Sequence, residues 1–210
     1  MIRALIADDH AVVRRGLKEL LTDSQEVSVI GEAATGREVL DQVRRADWDV
    51  VVLDINLPDQ NGLDVLRAVK RERPRLPVLV LTICSEDLYA MRALRAGAAG
   101  YLTKESAPEE LLGAIRKAVM GGRYIGPSLA ERLAQQIARA GEDPPHEALS
   151  DREFEVFRML ASGKTASQAA EALHLSVKTI STYRARLLEK MGMRTNADLT
   201  VYAVRNSLIE

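Results

Sequence analysis

Five polar side chains in the amino-terminal half stand at matching places. Asp8 and Asp9 follow the β-rich run Ala4–Ala7, Asp54 ends the run Val50–Leu53, Thr82 follows Val78–Leu81, and Lys104 follows Gly100–Leu102. An aspartate can take a phosphoryl group covalently. A lysine ammonium and a divalent cation would neutralise the oxygens as charge develops on them. Three converging carboxylates repel one another unless a cation sits among them or protons are taken up. Hard oxygen ligands of this kind suit Mg²⁺, with waters completing its octahedron. Each residue alone also has an ordinary explanation. Two aspartates after a strand often cap a helix, and a threonine or lysine at a strand end is commonplace. The joint placement points to phosphoryl transfer.

For these side chains to meet, the elements carrying them must lie side by side. Between those runs, and a fifth at Val27–Ile30, lie helical patterns at about 11–22, 37–46, 62–73, 86–96 and 108–120. Strands alternating with amphipathic helices predict βαβ units and a doubly wound five-stranded parallel sheet. The flavodoxin-like order 2-1-3-4-5 would place strands 1 and 3 together, with ligands outside their carboxyl ends. Ser106-Ala-Pro-Glu109 and Ser150-Asp-Arg-Glu153 read as capping boxes. Gly97 and Gly121-Gly122 sit where helices should stop.

The pattern changes after Arg123. A helix at about 128–140 leads to Gly141-Glu-Asp-Pro-Pro-His146, a predicted exposed linker, and strand signals then cease. Helices are predicted at about 151–162, 166–173, 177–191 and 196–206, forming a small all-α four-helix domain. The short segment His174-Leu-Ser176 between two of them is helix-turn-helix spacing, with Ser176 as cap. On the second helix Val177, Ile180, Leu187, Leu188 and Met191 should be buried. Lys178, Ser181, Thr182, Ala185 and Arg186 share the opposite face. Such a helix enters the major groove of DNA, although periodicity alone equally describes an ordinary amphipathic helix.

Composition narrows the class without deciding it. No run approaches the roughly 20 apolar residues of a membrane helix, and the first residues lack a signal h-region, so a cytoplasmic protein without a membrane partner is expected. The single cysteine, Cys84, cannot pair internally, which fits a reducing compartment. Net charge is −1, yet residues 178–194 set Lys178, Arg184, Arg186, Lys190 and Arg194 against Glu189 alone. That stretch fits a phosphate footprint or a solvated helix face.

Leu5-Ile-Ala-Asp-Asp9, Val51-Val-Leu-Asp-Ile-Asn-Leu-Pro-Asp-Gln-Asn-Gly62, Val80-Leu-Thr82 and Gly97-Ala-Ala-Gly-Tyr-Leu-Thr-Lys104 resemble the receiver domain of two-component response regulators over about residues 1–123. The resemblance implies a sensor histidine kinase as phosphoryl donor and Asp54 as acceptor. It implies Mg²⁺ held by Asp8, Asp9, Asp54 and the Asn56 carbonyl, Asp9 most directly. Thr82 and Lys104 would contact the phosphoryl group, and Thr82 and Tyr101 would form the switch. Glu105 stands where many receivers have proline, so a cis bond there loses its usual support.

Leu149-Ser-Asp-Arg-Glu153, Leu160-Ala-Ser-Gly163 and Leu175-Ser-Val-Lys-Thr-Ile-Ser-Thr-Tyr-Arg-Ala-Arg-Leu-Leu-Glu-Lys-Met191 resemble the LuxR-type helix-turn-helix over about 147–210. Receiver and helix-turn-helix, joined by a linker at 124–146, make the layout of the NarL/FixJ family. The resemblance implies phosphorylation-controlled transcription by a homodimer on promoter DNA with paired half-sites. The protein would be no enzyme beyond its own phosphorylation and dephosphorylation. DNA contacts would fall among Lys178, Thr179, Ser181, Thr182, Tyr183, Arg184 and Arg186. Residues 166–170 depart from the family in reading Ala-Ser-Gln-Ala-Ala, which should lighten the core at Ala169, and Ser181 and Ala185 stand where relatives often place lysine. Two rivals remain at this point. A dehalogenase-type phosphatase would need a second aspartate where Asn56 stands. A constitutive DNA-binding protein would keep the receiver only for dimerisation.

Overall fold

The computed structural model describes residues 1–82, 86–127, 129–131, 134, 144–206 and 208–209, with backbone alone for residues 29 and 86–88. Cys84 and most of the expected helix at 128–140 lie outside the described residues. The chain divides into two compact units, Met1–Ala138 and Arg139–Glu210.

Over residues 1–119 of the first unit, strands alternate with helices among the described residues: β1 (Ile2–Ala7), α1 (Ala11–Asp23), β2 (Val27–Ala33), α2 (Gly36–Arg45), β3 (Val50–Leu53), α3 (Gly62–Glu72), β4 (Val78–Thr82), α4 (Glu86–Arg95), β5 (Gly100–Thr103) and α5 (Ala107–Val119). All neighbours pair in parallel, in the order β2-β1-β3-β4-β5. Every residue of β3 and β4 is buried, as strands covered by helices on both faces must be. Leu17 and Leu21 of α1 and Leu111, Ala114, Ile115 and Ala118 of α5 pack on one face.

The ladder runs one step past the strands and so fixes where the polar residues start. Ala7 pairs with Leu53. The Asp54 N–H then donates to the Ala7 carbonyl at 2.8 Å and the Asp8 N–H to the Ala33 carbonyl at 3.1 Å. Thr82 pairs with Thr103, and the Lys104 N–H donates to the Thr82 carbonyl at 2.9 Å. The edge of β5 is extended by the chain after α5. Tyr124 bridges Gly100 in parallel and donates its N–H to the Ala99 carbonyl at 2.7 Å. A Cβ on Gly100 would come within 2.8 Å of the Tyr124 carbonyl oxygen, so glycine is what lets the two backbones lie together.

The second unit holds a 3₁₀ turn at Pro145–Ala148 and helices α6 (Asp151–Ala161), α7 (Ala166–Ala172), α8 (Val177–Met191) and α9 (Asn196–Arg205). Both phenylalanines of the chain, Phe154 and Phe157, lie fully inside it. They stack at 5.9 Å, and the Tyr202 ring meets Phe157 edge-on at 6.3 Å. His146 Nδ1 lies 2.7 Å from the Tyr202 hydroxyl, which fastens the turn to α9. Burial raises the Tyr202 phenol above its ordinary pKa. Ala169 is fully buried, as expected of the lighter core.

Two local expectations need correction. Ser106 does not cap α5 through its side chain. It sits in αR conformation and its hydroxyl donates to the Thr103 carbonyl, because the tight turn after Lys104 draws it back toward β5. Val177 is 46 % exposed, since the first residue of α8 projects past the packing that buries Ile180, Leu187, Leu188 and Met191. No cis peptide occurs among the described residues.

The capping box at Ser150 forms as read, and it does more than cap. Glu153 accepts from the Ser150 N–H at 2.8 Å and its Oε2 pairs with Lys190 of α8 at 2.6 Å. Burial pushes the Glu153 carboxyl up, but Lys190 and Ser150 together hold it below its ordinary value. A depressed folded-state pKa gives stability that is present above the unfolded value of 4.5 and lost as pH falls through the folded one. Glu153→Gln should therefore speed hydrogen exchange of α6 and α8 amides at pH 7, with the difference from wild type fading on acidification below about 4.5.

Candidate active site and nucleic-acid interface

At the carboxyl ends of β1 and β3, Asp8 and Asp54 are each 2 % exposed. The Lys104 ammonium lies between them, 2.5 Å from Asp8 Oδ2 and 2.6 Å from Asp54 Oδ2. Two buried carboxylates thus share one cation, and the cluster keeps an excess negative charge. That excess favours proton uptake. Burial, helped by the Asp8 charge, raises the Asp54 carboxyl above its ordinary value despite the opposing pull of Lys104. Burial pulls the Lys104 ammonium down, but its bonds to Asp54 and Asp8 prevail and raise it.

Asp9 takes a different position. It is about one-third exposed and pairs with His10 Nδ1 at 2.6 Å. Ligand atoms of Asp8, Asp9 and His10 lie within 4.8 Å of one another, so Asp9 adds a second negative charge at the mouth of the pocket. Thr82 is fully buried at the end of β4. Tyr101 is also fully buried on β5. Asn56 is exposed and donates its N–H to Asp54 Oδ1 at 3.2 Å.

Several residues that build the pocket escaped the sequence reading. Arg14 Nη1 donates to the Asp8 carbonyl at 2.7 Å from one turn into α1. The loop after Asp54 folds back on itself: Gly62 donates its N–H to the Ile55 carbonyl at 2.7 Å and Asn61 caps α3 by accepting from the Leu63 N–H. A Cβ on Gly62 would fall on the Asp54 carbonyl. The glycine was visible in the sequence, but the backbone beneath it was not.

The second unit presents a face of another kind. On α8 the side chains of Lys178, Ser181, Thr182, Ala185 and Arg186 are exposed together. Thr179, Tyr183 and Arg184 are half-buried. Thr179 Oγ1 lies 2.8 Å from the capping Ser176 hydroxyl, and Arg184 Nε donates to Asn196 Oδ1 at 2.7 Å. His174 takes a left-handed φ of 52° in the turn between α7 and α8, and Gly192 one of 65° where α8 stops.

Comparison with known proteins matches both halves. Residues 4–116 match the response regulator receiver domain, and residues 147–203 match the luxR family of bacterial regulatory proteins. The chain belongs to the NarL/FixJ family of response regulators. Its class is accordingly that of DNA-binding response regulators of two-component systems, and neither rival reading is favoured. It is 37 % identical to the response regulator GacA of Pseudomonas aeruginosa, over 100 % of this chain and 99 % of that one. It is 35 % identical to the response regulator UvrY of Escherichia coli, over 99 % and 96 %. RcsB of Salmonella enterica, solved bound to a promoter in the presence of the phosphomimetic BeF₃⁻, matches with TM-score 0.64 at 26 % identity over the full length of both chains. Among the described residues, no helix is long and apolar enough to cross a membrane.

The charge balance of the pocket has a thermodynamic consequence. A carboxyl whose folded-state pKa is raised costs stability once pH rises above the unfolded value of 3.8 and through the folded one. Asp54→Asn leaves Lys104 paired with Asp8 alone and removes that cost. At pH 7 the variant should melt above wild type in metal-free buffer, and the gap should close as pH falls toward 3.8.

Proposed function

We propose that Asp54 accepts a phosphoryl group from the phosphohistidine of a sensor kinase and that this event controls DNA binding by α8. The observation that carries the reading is the Lys104 ammonium held between two buried carboxylates at the ends of β1 and β3. In transfer, an Asp54 carboxylate oxygen bonds to phosphorus, the phosphorus–nitrogen bond breaks, and the donor imidazole leaves. Lys104 offers charge to the incoming phosphoryl oxygens and Thr82 offers a hydroxyl. The pocket's excess negative charge and all-oxygen carboxylate set fit Mg²⁺, which Asp8, Asp9, Asp54 and the Asn56 carbonyl would hold. Bound there, the ion would neutralise phosphoryl charge.

A phosphoryl group brings roughly −1.5 to −2 charges into this pocket. Lys104 then has a stronger partner than Asp8, and movement of Lys104 carries the end of β5 with it. Thr82 and Tyr101 are the switch residues of this reading. Tyr124, bonded to the edge of β5, is the first linker residue to feel a shift of that strand. The active form is a homodimer on paired half-sites about 10 bp apart or multiples of that, since two-fold proteins match two-fold operators. Lys178, Ser181, Thr182 and Arg186 are the contacts best supported by exposure, with Thr179, Tyr183 and Arg184 at the flanks.

Incubation with acetyl phosphate and Mg²⁺ should add one phosphoryl mass to wild type and none to Asp54→Asn, read by intact mass. A gain in both proteins would sink the assignment of the acceptor. Tyr124→Pro removes the N–H that bonds β5. It should leave phosphorylation intact while reducing the phosphorylation-dependent gain in DNA affinity, measured by fluorescence anisotropy.

A further inference from the structure

We infer that the centre of the α8 face reads a T·A base pair through thymine-methyl contact, a specificity that rests on the DNA-binding reading above. The basis is what the exposed side chains have left to offer. Ser181 Oγ donates to the Val177 carbonyl at 2.9 Å, and Thr182 Oγ1 donates to the Lys178 carbonyl at 3.0 Å. Both hydroxyl hydrogens are spent within the helix, so toward a ligand these oxygens act as acceptors. Beside them the Thr182 methyl and the Ala185 methyl are apolar. Across Ser181, Thr182 and Ala185 the face therefore presents acceptors and methyl groups.

Lys178 and Arg186, the donors, stand on either side. They have no ion-pair partner among the described residues and suit guanine or phosphate. Ser181 and Thr182 stand roughly 5 to 7 Å of helix rise from either donor, so the centre of the face reaches different groups from its flanks.

Major-groove edges differ in what they ask for. A T·A pair offers the adenine amino group, a donor, and the thymine methyl. A C·G pair offers an amino donor but no methyl. The guanine edge offers two acceptors, which acceptor oxygens cannot satisfy. An acceptor-plus-methyl surface matches T·A best, and the methyl is what separates it from C·G. Lysines at positions 181 and 185 would present donors instead, so the operator of this chain should differ from that of proteins carrying them.

The test uses the full chain, unphosphorylated and phosphorylated, and a random duplex pool to select its sites. Each selected half-site should contain a fixed T·A pair. Replacing its thymine with uracil should weaken binding about fourfold per half-site, the worth of one buried methyl. A C·G pair there should bind more tightly when the cytosine carries a 5-methyl group. Thr182→Ser keeps the hydroxyl and loses the methyl, and should shrink the thymine-over-uracil preference. Equal affinity for thymine and uracil at every selected position would overturn the inference while leaving DNA binding intact. Failure of both forms to select any duplex would overturn the DNA-binding reading and this one with it.

Discussion

The receiver half depends on one imbalance: two buried carboxylates, Asp8 and Asp54, face a single ammonium from Lys104. A buried charge without a partner is expensive, and a partner that must be shared satisfies neither carboxylate fully. The pocket is therefore held below its best stability. Whatever brings positive charge or spreads the negative charge relieves it. A site of this kind is poised to respond to a ligand because its ground state is strained by charge rather than by backbone geometry.

The parallel sheet is what imposes that imbalance. Asp8 and Asp54 are carried past the ends of adjacent strands by continuation of the ladder, with Asp54 N–H on the Ala7 carbonyl. Lys104 reaches them from β5, two strands beyond β3. Every residue of β3 and β4 is buried, so the sheet is too closely packed to let the carboxylates drift apart. Arg14 and the folded-back loop at Gly62 and Asn61 close the remaining freedom. The same packing gives a route outward, because β5 carries both the buried Tyr101 and, at its edge, the Gly100–Tyr124 bridge.

The second unit solves a different problem. A four-helix unit has little apolar area to bury. It relies on a cluster of Phe154, Phe157, Tyr202 and His146, and on the bond from Glu153 to Lys190 that ties the start of α6 to α8. With Ile180, Leu187, Leu188 and Met191 facing inward, the opposite face of α8 is left to be chosen by what it binds rather than by packing.

Much of this was legible in the sequence, and the reasons are local. Short β-rich runs and amphipathic helical patterns named the strands and helices, the apolar runs at 50–53 and 78–81 marked the central strands, and strand-end placement singled out Asp8, Asp9, Asp54, Thr82 and Lys104. The open face of α8 followed from helical spacing alone. Tertiary structure decided what spacing cannot encode. It decided that Lys104 bridges the carboxylates, that Asp9 turns outward to His10, that Ser106 bonds back to Thr103, and that Tyr124 joins the sheet. Each of these depends on groups far apart in the chain, or on the path of a turn, competing for the same partner. Periodicity reports which side of an element is apolar; it carries no information about which of several polar neighbours wins a shared charge or hydrogen bond.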